Sequence, residues 1–169
     1  MASTNIIRKV GDWSKAGKIT RNLKGDIFQE LTIVLRQIGS EAEKDMKLWI
    51  RDQRGKSAPG KFRWAPLTDA TIKRKGKRNK TLIDSSSMLQ SITSTVMFPN
   101  VFVGIKRGVK NKKGDDLVPI AAVHEFGSQA RNIPARPFVR PILVLIENKI
   151  ANNLIGRRLL AFIRKKYSF

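Results

Sequence analysis

The chain has 169 residues, 41% apolar and 28% charged, enough to bury one hydrophobic core. Its 34 lysines and arginines face only 13 acidic residues, and a net charge of +21 repels itself unless it meets nucleic acid, an acidic membrane surface or an acidic protein. The absence of cysteine excludes disulfides and thiolate metal sites, no apolar run approaches the ~20 residues that span a bilayer, and residues 1–13 lack the unbroken apolar stretch of a secretion signal.

Residues 1–24 are basic and broken by Gly11 and Gly17, with Trp13, Ile19 and Leu23 outside any clean periodicity. They read as an N-terminal arm or a loose tail. From Gly25 the pattern changes. Asp26 is a candidate N-cap with Gln29 at capping-box spacing. Ile27, Leu31, Val34, Leu35, Ile38, Ala42, Met46, Trp49 and Ile50 then recur every three or four residues. This predicts one amphipathic core helix to about Arg51, slightly weakened at Gly39. Residues 52–82 are polar, glycine-containing and basic, and are expected to form an exposed loop. Within them, Thr68 or Asp69 can cap a short helix over 70–74 after Pro66.

Asp84 or a following serine can cap a second short helix ending near Ser91. Two apolar runs, 92–98 and 101–105, flank Pro99-Asn100 and predict a β-hairpin. Residues 106–117 read as a polar loop, and 118–123 as a strand or short helix. Residues 119–138 are expected to form a stiff, non-helical connector in which Pro134 and Pro137 hold Ile133 and Arg136 extended. From Arg140, the series Leu143, Ile146, Ile150, Leu154, Ile155, Leu159, Phe162, Ile163 predicts a second amphipathic helix, ending in three cations that suit its C-terminal dipole. The expected fold is α+β: two long amphipathic helices packed on a small antiparallel sheet, with long basic loops. Residues 1–24 would be the arm and 25–169 the single domain.

Catalytic chemistry finds little support. His124 is the only histidine, and its neighbour Glu125 cannot face it on a helix or strand. A hydrogen-bonded structural histidine is the simpler reading, and metal ligation lacks a second histidine or any cysteine. Neither a phosphate-binding GxxxxGK[ST] nor a GxGxxG is present, and Asp115-Asp116 reads as a solvated pair. No catalytic, metal or cofactor residue is assigned. The basic loop stands out instead. Eleven lysines and arginines fall between Arg51 and Lys80 against two acids, interleaved with Phe62 and Trp64. Charge of this density suits phosphate contact, and aromatics could stack on single strands. A merely solvated basic loop, or contact with an acidic protein, would look the same. The candidate DNA or partner contacts are Lys73, Arg74, Lys75, Lys77, Arg78, Lys80, Lys110, Lys112 and Lys113.

Four segments in order resemble one family. WAPLT at 64–68 with Thr71 and Lys75 resembles W-x-P-L-[ST]-x-x-T-x-x-x-K, and LIDSSSM at 82–88 with Ser91 and Ile92 resembles L-x-D-T-G-x-L-x-x-S-I. AAVHEFG at 121–127 resembles Y-A-x-x-H-x-x-G, and IPARPF at 133–138 matches I-P-A-R-P-F. Together they are similar to the phage virion-morphogenesis, or tail-completion, family of Mu-like and contractile-tailed phages. Two positions depart: Ala121 replaces an aromatic, and Ser86 stands where glycine is usual, so the turn before the short helix is not expected to need φ > 0.

The resemblance implies a structural, non-enzymatic virion protein of the neck or tail end, assembled in the host cytoplasm. It would form a homo-oligomeric ring that completes the tail and joins it to the DNA-filled head. A hexamer matches the tail tube and a dodecamer the portal side. Its partners would be neck or connector proteins, tail tube or terminator proteins, and double-stranded DNA passing non-specifically through the lumen, without a membrane. Residues 1–24 and 128–138 would reach neighbouring subunits. Trp13, Trp64, Pro66, His124, Phe126, Arg136 and Phe138 are the candidate subunit interface, and alanine at Arg136 or Phe138 is expected to spare the fold but block assembly. The alternative is a stand-alone nucleic-acid-binding protein using the 51–80 loop.

Overall fold

A computed structural model describes residues 11–76, 80–84, 86–151 and 154–167. Helix α1, Trp13–Arg51, is the axis of the molecule. At 39 residues it is about 58 Å long at ~1.5 Å per residue. Its buried positions Val34, Ile38, Gly39, Ala42, Met46 and Ile50 keep the three-to-four spacing and lie in the C-terminal half. The helix begins fourteen residues earlier than the sequence suggested. Asp12, not Asp26, is the N-cap, accepting from Lys15 N at 2.9 Å. Asp26 lies within the helix and binds Lys166 Nζ at 2.6 Å and the Tyr167 hydroxyl. Where they are described, residues 13–24 are therefore helix, not an irregular tail.

Two short 3-10 turns, Arg54–Lys56 and Gly60–Phe62, follow α1. Next come α2, Asp69–Lys75, capped by Thr68, and α3, Ser87–Ser91. Strands β1, Ile92–Met97, and β2, Asn100–Ile105, form the hairpin, paired antiparallel from Ile92↔Ile105 to Met97↔Asn100. The turn between them is Phe98-Pro99, joined by a cis peptide, one residue before the expected pair. The hairpin lies on α1 at Gly39. A Cβ there would stand 2.7 Å from Val101 Cγ2 and 3.2 Å from Ser94 Cβ, so the glycine that weakens the helix also lets the strands approach.

The apolar run after the 106–117 segment is helical: α4 spans Leu117–Phe126, so the first part of the expected non-helical connector is helix and only 127–138 is irregular. Asp116 caps it through Val118 N, a structural task it carries out while exposed to solvent as expected. The segment before it is a closed turn, in which the Asn111 side chain accepts from Lys113 N and Asp115 N. The C-terminal region contains α5, Arg140–Ala151, and α6, Leu154–Tyr167, with α6 running beside the N-terminal half of α1. The core joins Ala42, Met46 and Ile50 of α1 to Trp64, Met88, Ile92, Leu117, Phe138 and Ile142. No described helix is long and apolar enough to cross a membrane.

Candidate functional site

The four signature segments meet in space. Trp64 is buried, and its indole Nε1 donates to Pro137 O at 2.7 Å. Arg136, only 7% exposed, donates from Nε to Ala65 O and from a terminal nitrogen to Pro66 O. Its own backbone N donates to His124 O at 2.6 Å. The WAP and PARP segments, about seventy positions apart, are thus stapled together, with α4 behind them.

Glu125 completes the unit. Its buried carboxylate accepts from Phe138 N at 2.8 Å, Val139 N at 2.9 Å and Arg140 N at 3.0 Å. Pro141 has no N–H, and Ile142 N already reaches Val139 O. The donors that open α5 are therefore all satisfied, three of them by a single side chain from α4. Nothing in the local sequence marks Glu125 as a cap, because the helix it serves starts fifteen residues downstream.

In front of the staple lies a cleft of ≈480 Å³, lined from all four segments. Its floor is apolar, with Leu67, Leu82, Met88, Leu117, Ile120 and Ile133. Around it stand Arg74, Lys75 and Arg136, with Asp84 the one carboxylate among the lining residues. Lys75 Nζ donates to Lys80 O at 2.8 Å and Ile83 O at 2.6 Å, so it ties α2 to the segment that follows it. Burial lowers its pKa, and Arg74 and Arg136 add to this while Asp84 opposes it. Gln53, just beyond the end of α1, holds the neighbouring Thr81, accepting from its N and donating to its O. The His124 imidazole also lines the cleft, and its Nδ1 is buried without a partner. Burial first, then Arg136 and Lys75, lower its pKa below 6.5.

Ser86 at the cleft edge corrects an expectation. It takes φ +62°, the left-handed conformation that a glycine would adopt freely, and its side chain makes no capping bond. The serine does not remove the need for positive φ.

The expected contact residues divide clearly. Lys73, Arg74, Lys80, Lys110, Lys112 and Lys113 are exposed, whereas Lys75 is half-buried and engaged. Lys77 and Arg78 lie outside the described residues. Asn111 lines the same cleft as Arg74, so the two basic segments flank one opening. Of the seven expected interface residues, Trp64, Arg136 and Phe138 are occupied inside the subunit, with Phe138 only 2% exposed. They have almost no surface to offer a neighbour, and alanine there would disturb the fold first. His124 is half-buried. Trp13 and Phe126 remain 61% and 64% exposed, and Pro66 is exposed. Among the described residues no group of histidine and acidic side chains could hold a metal.

A model of the phage virion morphogenesis family matches residues 12–143. Uncharacterized protein MJ0331 of Methanocaldococcus jannaschii is 33% identical over 130 residues, 72% of this chain and 90% of that protein. No solved structure matches. The family match takes in all of α1, the hairpin, the staple and every segment of the cleft, and on this ground the chain belongs to the phage virion morphogenesis family, a family of structural virion proteins.

Proposed function

We propose that the protein is a neck or tail-end component that assembles into a ring, completes the tail and joins it to the filled head, with double-stranded DNA passing through the lumen. The observation that carries this reading is the family match over residues 12–143. The charge supports it. Copies carrying +21 repel one another, so a closed assembly needs a counter-charge, and DNA in a channel or an acidic neighbour supplies one. Lys73, Lys80, Lys110, Lys112 and Lys113 have the exposure that phosphate contact requires. Trp13, Pro66 and Phe126 are the subunit contacts this reading keeps, and exposed Leu143, Leu145 and Leu160 on α5 and α6 add apolar surface for a heterologous interface.

The stand-alone nucleic-acid binder is the weaker reading for a specific reason. Trp64 is 4% exposed and Phe62 half-buried, so neither ring of the basic loop offers an open stacking platform. Electron microscopy of tails completed with the purified protein tests the proposal. The expected image is a six-fold ring at the head-proximal end, with twelve-fold as the portal-matched variant. Failure to join tails, together with tight duplex binding and a steep salt slope in free solution, overturns it.

A further inference from the structure

We infer that the cleft in front of the Trp64–Arg136 staple is a receptor for an acidic peptide, an extended segment of a partner protein that lays an apolar side chain on the cleft floor and a carboxylate among Arg74, Lys75 and Arg136. The inference concerns the isolated subunit and does not depend on ring assembly.

The charge balance of the cleft is the main argument. Three cations and one carboxylate line it. None of the three cations takes part in an ion pair among the described residues. Lys75 and Arg136 spend their bonds on neutral carbonyls. Partly buried positive charge is unfavourable. Asp84 offsets it only in part, so that the Lys75 pKa stays lowered, and a bound carboxylate would relieve it further. The His124 pKa is lowered first by burial, and Arg136 and Lys75 of the cleft add to that shift. Its buried, unpartnered Nδ1 lies in the same wall.

The floor decides between ligands. A phosphodiester is polar throughout and would leave the half-buried Leu67, Ile120 and Ile133 against water. Duplex DNA can reach the exposed lysines around the opening but brings no apolar group to the cleft. A peptide that alternates acidic and apolar side chains meets both surfaces, and ≈480 Å³ lies in the ordinary range of such sites.

The test uses the full chain at ~150 mM salt, where binding to the general basic surface is weakened. The probe is a fluorescein-labelled hexapeptide alternating leucine and glutamate. Its controls are the leucine–glutamine counterpart, a thymidine octanucleotide and inorganic phosphate. Because His124 is the only histidine, its imaginable overlap with other imidazole signals does not arise, and its NMR resonance reports on the cleft alone. The glutamate peptide should bind about 10-fold more tightly than the glutamine one, shift the His124 resonance and raise the His124 pKa. Arg74→Gln, at an exposed position outside the staple, should weaken binding about 3- to 10-fold, and Asp84→Asn should strengthen it. Equal affinity for the two peptides overturns the inference. So does binding that leaves His124 unmoved, which would place the peptide on the outer surface. A His124 shift produced equally by the octanucleotide or by phosphate would make the cleft an anion site and not a peptide receptor.

Discussion

Replacing Glu125 tests the central structural claim, that one buried carboxylate holds the start of α5 on α4. In Glu125→Ala, the N–H groups of Phe138, Val139 and Arg140 lose their acceptor together. Each hydrogen bond to a charged group contributes about 1.5–3 kcal/mol, but the three share one side chain and do not add. Val139 and Arg140 can recover water, whereas Phe138 N is buried. We therefore expect a loss of about 3–5 kcal/mol, a large fraction of the ~5–15 kcal/mol that holds a domain. Glu125→Gln keeps one oxygen and turns a donor towards the remaining N–H groups, for a loss of about 2–3 kcal/mol. Urea unfolding followed by circular dichroism measures both. For a chain of this size each kcal/mol should lower Tm by about 2–4 °C. An alanine variant within ~0.5 kcal/mol of the parent would mean that α5 is held by packing alone and that the cap is incidental.

Three further outcomes follow from neighbouring residues. Gly55→Ala would place its Cβ 2.1–2.3 Å from the Trp64 ring, push the indole off Pro137 O and cost about 2–4 kcal/mol in urea unfolding; a neutral result would show that the ring has room to move. Ser86→Gly should stabilise by about 0.5–1 kcal/mol, because glycine accepts φ +62° without strain, and a clear loss would mean that the serine side chain holds the turn. His124 gives stability a pH dependence. Its folded pKa lies below 6.5, so the unfolded chain takes up the proton first; stability should be constant above about pH 7, fall as pH drops through 6.5 towards the folded value, and lose that slope in His124→Gln. A parent protein whose stability is flat across this window would refute the buried neutral imidazole.

Much of the framework is legible in local pattern. The apolar spacing of 34–50 needs only the 3.6-residue period to be recognised, and Thr68 before α2 and the two apolar runs that flank the hairpin turn are equally local signals. The start of α1 was less legible. Asp26 looks like a cap because aspartate before an apolar series is the usual signal, but its carboxylate is taken by Lys166 and Tyr167, some 140 residues away. With that bond made across to α6, helix can continue back to Asp12 despite Gly17 and Gly25. The 117–126 run shows the opposite difficulty, since it is apolar enough to suit a strand or a helix. The Asp116 cap and the packing of Leu117 in the core select the helix.

The role of the 119–138 stretch changed most. Two prolines announce a rigid connector, and rigidity alone fits a subunit interface as well as an internal brace. Partners that are remote in sequence separate the two. Arg136 finds carbonyls at 65 and 66, Trp64 finds one at 137, and Glu125 finds the N–H groups of 138–140. Composition and motif order by themselves determined a basic, disulfide-free α+β chain with a family signature, because charge, period and spacing are carried by neighbours along the chain. Only the tertiary structure decided that the signature is largely an internal staple with a cationic cleft before it. Burial and hydrogen-bond partnership depend on which distant segments come together, and no local pattern records that.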